Sequence, residues 1–96
     1  MLNKNVVITG VGINSCIGNT YKDVLENLQK GISGISFNDT YSEMGFRSCV
    51  SGSIDINLSE HIERKLLRFM GESAGYSYLA ALDALEMADL NKEDLD

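Results

Sequence analysis

Proline and tryptophan are absent from the 96 residues, histidine occurs once and cysteine twice. Without proline, and with 44% of its residues apolar and 23% charged, the chain has the make-up of part or all of one small globular domain, not of a disordered tail. Cys16, Cys49 and the lone His61 are too few for a disulfide framework or an ordinary zinc site, so no metal or cofactor is expected and the compartment is read as reducing and cytoplasmic. Cations are scarce as well. Eight basic against fourteen acidic side chains leave a net charge of −6, which argues against a nucleic-acid binder, whose phosphate contacts need surplus Lys and Arg. Long hydrophobic runs are also missing. The charge-free stretch from Asn5 to Tyr21 is interrupted by Thr9, Asn14, Ser15, Asn19, Thr20 and three glycines, which excludes a spanning helix and makes a poor signal peptide.

What is present begins with Val6-Val7-Ile8, a β-branched run followed by Thr9 and Gly10. Consecutive apolar positions of this kind predict a strand buried on both faces, as in a parallel sheet. Gly10 and Gly12 then permit positive φ or close backbone approach. Thr20 with Asp23 reads as a helix N-cap, Tyr21, Val24, Leu25 and Leu28 as an amphipathic stripe, and Gly31 as the C-terminal stop. Residues 31 to 57 show no helical period, although a short strand fits somewhere within Ser48 to Ile54.

A second helix is expected from about Leu58, capped by Asn57 or Ser59, with Ile62, Leu66, Phe69 and Met70 on its apolar side. On a wheel of roughly 100° per residue, Arg64, Lys65 and Arg68 fall on a separate basic face. From Ser73 the chain reads as a long helix through Ala88, buried on most sides, with small residues for close packing. Asn91 and Asp94 suggest a final capped turn. One strand cannot satisfy its own backbone groups, so the expectation is the first part of a larger domain.

Three local features invite chemistry. Gly10-x-Gly12 after a strand suggests dinucleotide binding, but Ser15 stands where that fingerprint wants Gly or Ala, and the helix starts late; a tight turn out of a sheet is the better reading. Cys16 has no histidine nearby in sequence to ionise it and reads as a small half-buried thiol. The basic cluster is the anomaly: Arg64, Lys65 and Arg68 are three of eight cations, all within five residues. It is either a solvated helix face paired with Glu60 and Glu63 or a docking patch for an acidic partner, and composition does not choose.

Taken in order, Val6-Val7-Ile8-Thr9-Gly10-Val11-Gly12-Ile13, Ile17-Gly18-Asn19, Lys30-Gly31-Ile32-Ser33-Gly34-Ile35, Gly45-Phe46-Arg47-Ser48 and Arg64-Lys65-x-x-Arg68-Phe69-Met70 resemble the β-ketoacyl-acyl carrier protein synthases, with the last two series, above all the final one, nearest the type I branch. The resemblance implies an α/β, thiolase-like fold, with residues 1–96 as the N-terminal part of its first half. It also implies homodimerisation when full length, and decarboxylative condensation of acyl and malonyl thioesters carried by acyl carrier protein. The family's nucleophilic cysteine, in a Ser-Ala-Cys context, and its two histidine motifs have no counterpart here. Cys16 does not inherit that role, and the chain alone is expected to be inactive. Carried over residue by residue, Arg64, Lys65 and Arg68 match carrier-docking positions, with Arg47 a weaker candidate. The competing expectation is a non-catalytic carrier-binding module.

Overall fold

A computed structural model describes residues 4–95. The clearest local code is that of α1 (Tyr21–Lys30). Thr20 sits in extended backbone and its hydroxyl accepts from the Asp23 N–H at 3.1 Å, satisfying one of the first-turn donors that a helix leaves unpaired. Gly31 ends the helix in the left-handed region at φ 67°, and the N–H groups of Gly31 and Ile32 return to the carbonyls of Leu28 and Asn27.

Beyond α1 the chain forms β1 (Ile35–Phe37), α2 (Asp39–Glu43), β2 (Val50–Gly52), α3 (Leu58–His61), α4 (Arg64–Leu67) and α5 (Glu72–Met87), then a 3-10 turn at Lys92–Leu95. Strands β1 and β2 pair antiparallel with Ser36 opposite Ser51. The architecture among the described residues is therefore mixed, mostly helical with one two-stranded sheet. The predicted strand near Ser48–Ile54 is β2; its partner β1 is Ile-Ser-Phe, three residues only, too short for its alternation to reveal it in the sequence.

Val6-Val7-Ile8 is a correction. The run forms no ladder, and its side chains are 99%, 69% and 87% exposed. Its backbone from Lys4 to Gly10 makes no hydrogen bond among the described residues, because no strand lies beside it. A second correction concerns the helix expected from Leu58. Asn57 caps it as anticipated, accepting from the Ser59 N–H at 3.2 Å, but Ile62 turns to φ −120°, ψ 133° and splits the segment into α3 and α4. The turn lets Ile62 bury to 4% exposure, while Leu66 and Phe69, assigned to the same apolar side, remain exposed.

Helix α5 runs where a long helix is predicted, but it is not enclosed: Gly75 is its one buried residue, and the others described are half-buried or exposed. Its small residues do receive a neighbour. A Cβ on Gly12 would strike the carbonyl of Ala80, and one on Gly10 the carbonyl of Ala84, so both glycines serve close approach to the helix. Asn14 strengthens that seam by donating from Nδ2 to the Tyr76 carbonyl at 2.8 Å.

The chain is spread out. Its radius of gyration is 17.4 Å, against about 12.5 Å for a closed domain of this length. Its accessible surface is 8117 Å², where a folded monomer of this mass exposes about 5,400 Å². Among the described residues, Val24 and Ile62 are the buried hydrophobic ones, at 8% and 4% exposure, and no side chain is fully buried. No helix among the described residues is long and apolar enough to cross a membrane.

Candidate functional site

The break at Ile62 decides the geometry of the basic cluster. Arg64 and Lys65 occupy the single turn of α4, and Arg68 is its C-cap, with the Arg68 N–H donating to the Arg64 carbonyl at 3.2 Å. Glu60 belongs to α3, on the far side of the extended residue, so the i, i+4 spacing to Arg64 loses its helical meaning. All three cations are exposed. With Glu63 they line an open concavity of about 700 Å³.

Electrostatics favour this place over the molecule's average. Screening at physiological ionic strength cuts off fields within about 8 Å, so an approaching partner senses three cations beside one carboxylate, not the net charge of the chain. Exposed guanidinium and ammonium groups present forked and point-like donors to carboxylates or phosphates. Leu66 and the 90%-exposed Phe69 add uncovered apolar surface to the same segment. Arg47 lies apart, in the loop between α2 and β2, and does not line this concavity.

The remaining candidates are placed clearly. Cys16 is half-buried, wedged against Gly34 and Gly52, whose lack of a Cβ makes the room it needs. It fills space in the manner of a small apolar side chain. His61, exposed at the end of α3, faces a polar concavity it shares with Asn14, Asn19, Asp55 and Asp83. The glycine pair is occupied by α5, and the groove beside Gly12 sets Asp83 and Glu86 against the single cation Lys22, an acidic balance that disfavours a phosphate.

Sequence reasoning missed the three asparagines that fasten the loop preceding and following residue 18. Asn14 reaches Tyr76, Asn19 donates to the Asp55 carbonyl at 3.3 Å, and Asn27 donates to the Ile17 carbonyl. Asn14 and Asn19 lie in a loop and Asn27 on α1, and single asparagines carry no spacing signal, since their partners are 10 to 62 residues away.

Comparison with characterised proteins gives a consistent result. The chain is 47% identical over 92 residues to 3-oxoacyl-[acyl-carrier-protein] synthase 1 of Haemophilus influenzae, covering 96% of the chain and 23% of that protein. It is 40% identical over 90 residues to the synthase 1 of Escherichia coli K12, covering 94% and 22%. Against a synthase 2 of Staphylococcus aureus the identity is 36% over 93 residues, 96% of this chain and 22% of that protein. The chain thus spans less than a quarter of the length of these relatives. No model of a protein family matches it.

Proposed function

We propose, from the homology of this chain to 3-oxoacyl-[acyl-carrier-protein] synthase 1 over nearly its whole length, that it is one part of a condensing enzyme of fatty-acid synthesis and supplies its carrier-docking surface. The fold it enters is the thiolase-like α/β architecture, with these residues at the start of the first half and a second copy completing a homodimer. Condensation needs a thiolate to accept the acyl group, and donors for the charge that develops on the thioester oxygen. Cys16, packed among glycines with no histidine nearby in sequence, does not supply the first. The chemistry belongs to polypeptide outside these residues, and the role kept here is binding.

The observation that carries the reading is the concentration of Arg64, Lys65 and Arg68, unburied, on one turn of an otherwise acidic chain. A carrier that is itself acidic would be steered to this turn and held in register by it. Arg47, being outside the concavity, is assigned a minor part. The spread-out shape weighs against a self-standing binding module, which would have to close its own core. Titration of acyl carrier protein against the enzyme that carries this segment and its Lys65→Glu/Arg68→Glu variant tests the assignment: binding that is weakened in the variant supports it, and equal binding removes it.

A further inference from the structure

Phe69 follows directly on the cationic turn and is 90% exposed. Its backbone is nevertheless held. The Phe69 N–H donates to the Leu66 carbonyl at 3.1 Å, and the Met70 N–H to the Leu67 carbonyl at 3.1 Å. Arg68, between α4 and Phe69, keeps helical backbone at φ −58°, ψ −26°, so the ring is carried on an ordered continuation of the turn.

That turn has an inside and an outside. Leu67 and Met70 are half-buried and share a recess with Leu58 and Tyr76. Counted at about 100° per residue from Arg64, they fall at about 300° and 240°, which sets the inward direction near 270° and the outward one near 90°. Lys65 at about 100°, Arg68 at about 40° and Phe69 at about 140° all lie within about 50° of the outward direction, with Arg64 at its margin. Phe69 therefore shares the face of the cations. A residue destined for the interior would share the direction of Leu67 and Met70.

A phenyl ring on that side gains nothing from the packing of its own chain, and burying it against another surface would release the water it orders. Aromatic side chains set beside arginine are the composition of an interface centre. Screened cations supply steering and register, whereas an apolar side chain seated in a pocket of the partner supplies lasting affinity.

We infer that Phe69 is the apolar anchor of the docking face, inserting into an apolar depression that an acidic carrier protein presents among its carboxylates. The inference rests on the assignment of Arg64, Lys65 and Arg68 to carrier docking, and adds to it a residue that charge does not select. A second copy of this chain fits less well, because two such faces brought together about a twofold axis would set cation against cation.

The test is titration of acyl carrier protein into the enzyme that carries this segment, at about 0.1 M and about 0.3 M salt, where the Debye length falls from about 10 Å to about 6 Å. Phe69→Ala should weaken binding about tenfold at both salts, since apolar burial is not screened. Phe69→Leu should recover most of the loss, because it keeps an apolar side chain at the position. The melting temperature of Phe69→Ala should stay within about 2 °C of the parent, as for a surface substitution. Equal binding by Phe69→Ala, or a deficit that shrinks as salt rises, would overturn the inference. So would misfolding, a lowered melting temperature or an altered oligomeric state, each of which would place the ring against the enzyme's own polypeptide or a second copy. Lys65→Glu/Arg68→Glu, titrated alongside, separates the two proposals: if it binds weakly while Phe69→Ala binds normally, the anchor alone falls, and if it binds normally, the docking assignment falls.

Discussion

The α-carbon of Gly12 stands so close to the carbonyl of Ala80 that no side chain can be placed between them. That approach joins the first turn of the chain to its longest helix, across 68 positions of sequence. It should fail on the addition of a side chain. Gly12→Val is expected to weaken the seam by about 1–3 kcal/mol, the usual cost of overpacking a contact that cannot retreat. Amide exchange in α5 should quicken around Ala80, whereas Gly71→Ala, in open space, should have no such effect.

Helix α1 depends on its two caps. Thr20→Ala removes the acceptor for the Asp23 N–H and is expected to cost about 1 kcal/mol of helix stability. Gly31→Ala is expected to cost about 1 kcal/mol for a different reason, the left-handed backbone at φ 67°. Exchange rates of the amides between Val24 and Leu28 check both, and unchanged rates would contradict the capping account.

A calorimetric scan of the chain by itself should show no sharp heat-absorption peak. A closed domain of this length absorbs roughly 60–70 kcal/mol on unfolding. With Val24 and Ile62 as the buried hydrophobic residues among those described, and neither fully enclosed, this chain has little cooperative packing to lose. A single two-state peak of the full size from a monomer would show that a core exists.

Salt should act on carrier binding in a particular way. Exposed charges are screened over a Debye length that shrinks from about 10 Å at 0.1 M to about 3 Å at 1 M. In the enzyme carrying this segment, Lys65→Glu/Arg68→Glu should raise KM for the carrier-bound substrate about tenfold while kcat stays within about twofold, because charges at an interface rim govern association. The variant should also lose most of the salt dependence. An unchanged KM would contradict the docking assignment.

These outcomes also mark where the sequence is informative. Helix α1 was legible because its caps, stripe and stop all lie within a dozen neighbouring residues. The Asn91 turn was legible for the same reason, and there the Asp94 carboxylate accepts from the Asn91 N–H at 2.9 Å. The stretch from Leu58 to Met70 was misread because periodicity alone cannot show that Ile62 leaves the helix to be buried. A β-branched residue gives up helical backbone at little cost when a buried position is on offer. Strand β1 alternates as Ile-Ser-Phe but is three residues long and exposed throughout, too short a window for the alternation to be told from chance.

The basic cluster was legible in composition, but its form was not. A face on a continuous helix would have set Glu60 one turn from Arg64; the break removes that neighbour and presents the cations on a turn of their own. Val6-Val7-Ile8 shows the converse. Its apolar run states what the segment needs, while no neighbour that would meet the need lies beside it among the described residues.

Titrating acyl carrier protein into the enzyme that carries this segment, at rising sodium chloride, tests the docking assignment most directly. Affinity should fall steadily with salt, and the Lys65→Glu/Arg68→Glu variant should bind at least about tenfold more weakly at low salt. Equal affinity for both chains, or binding indifferent to salt, would contradict it.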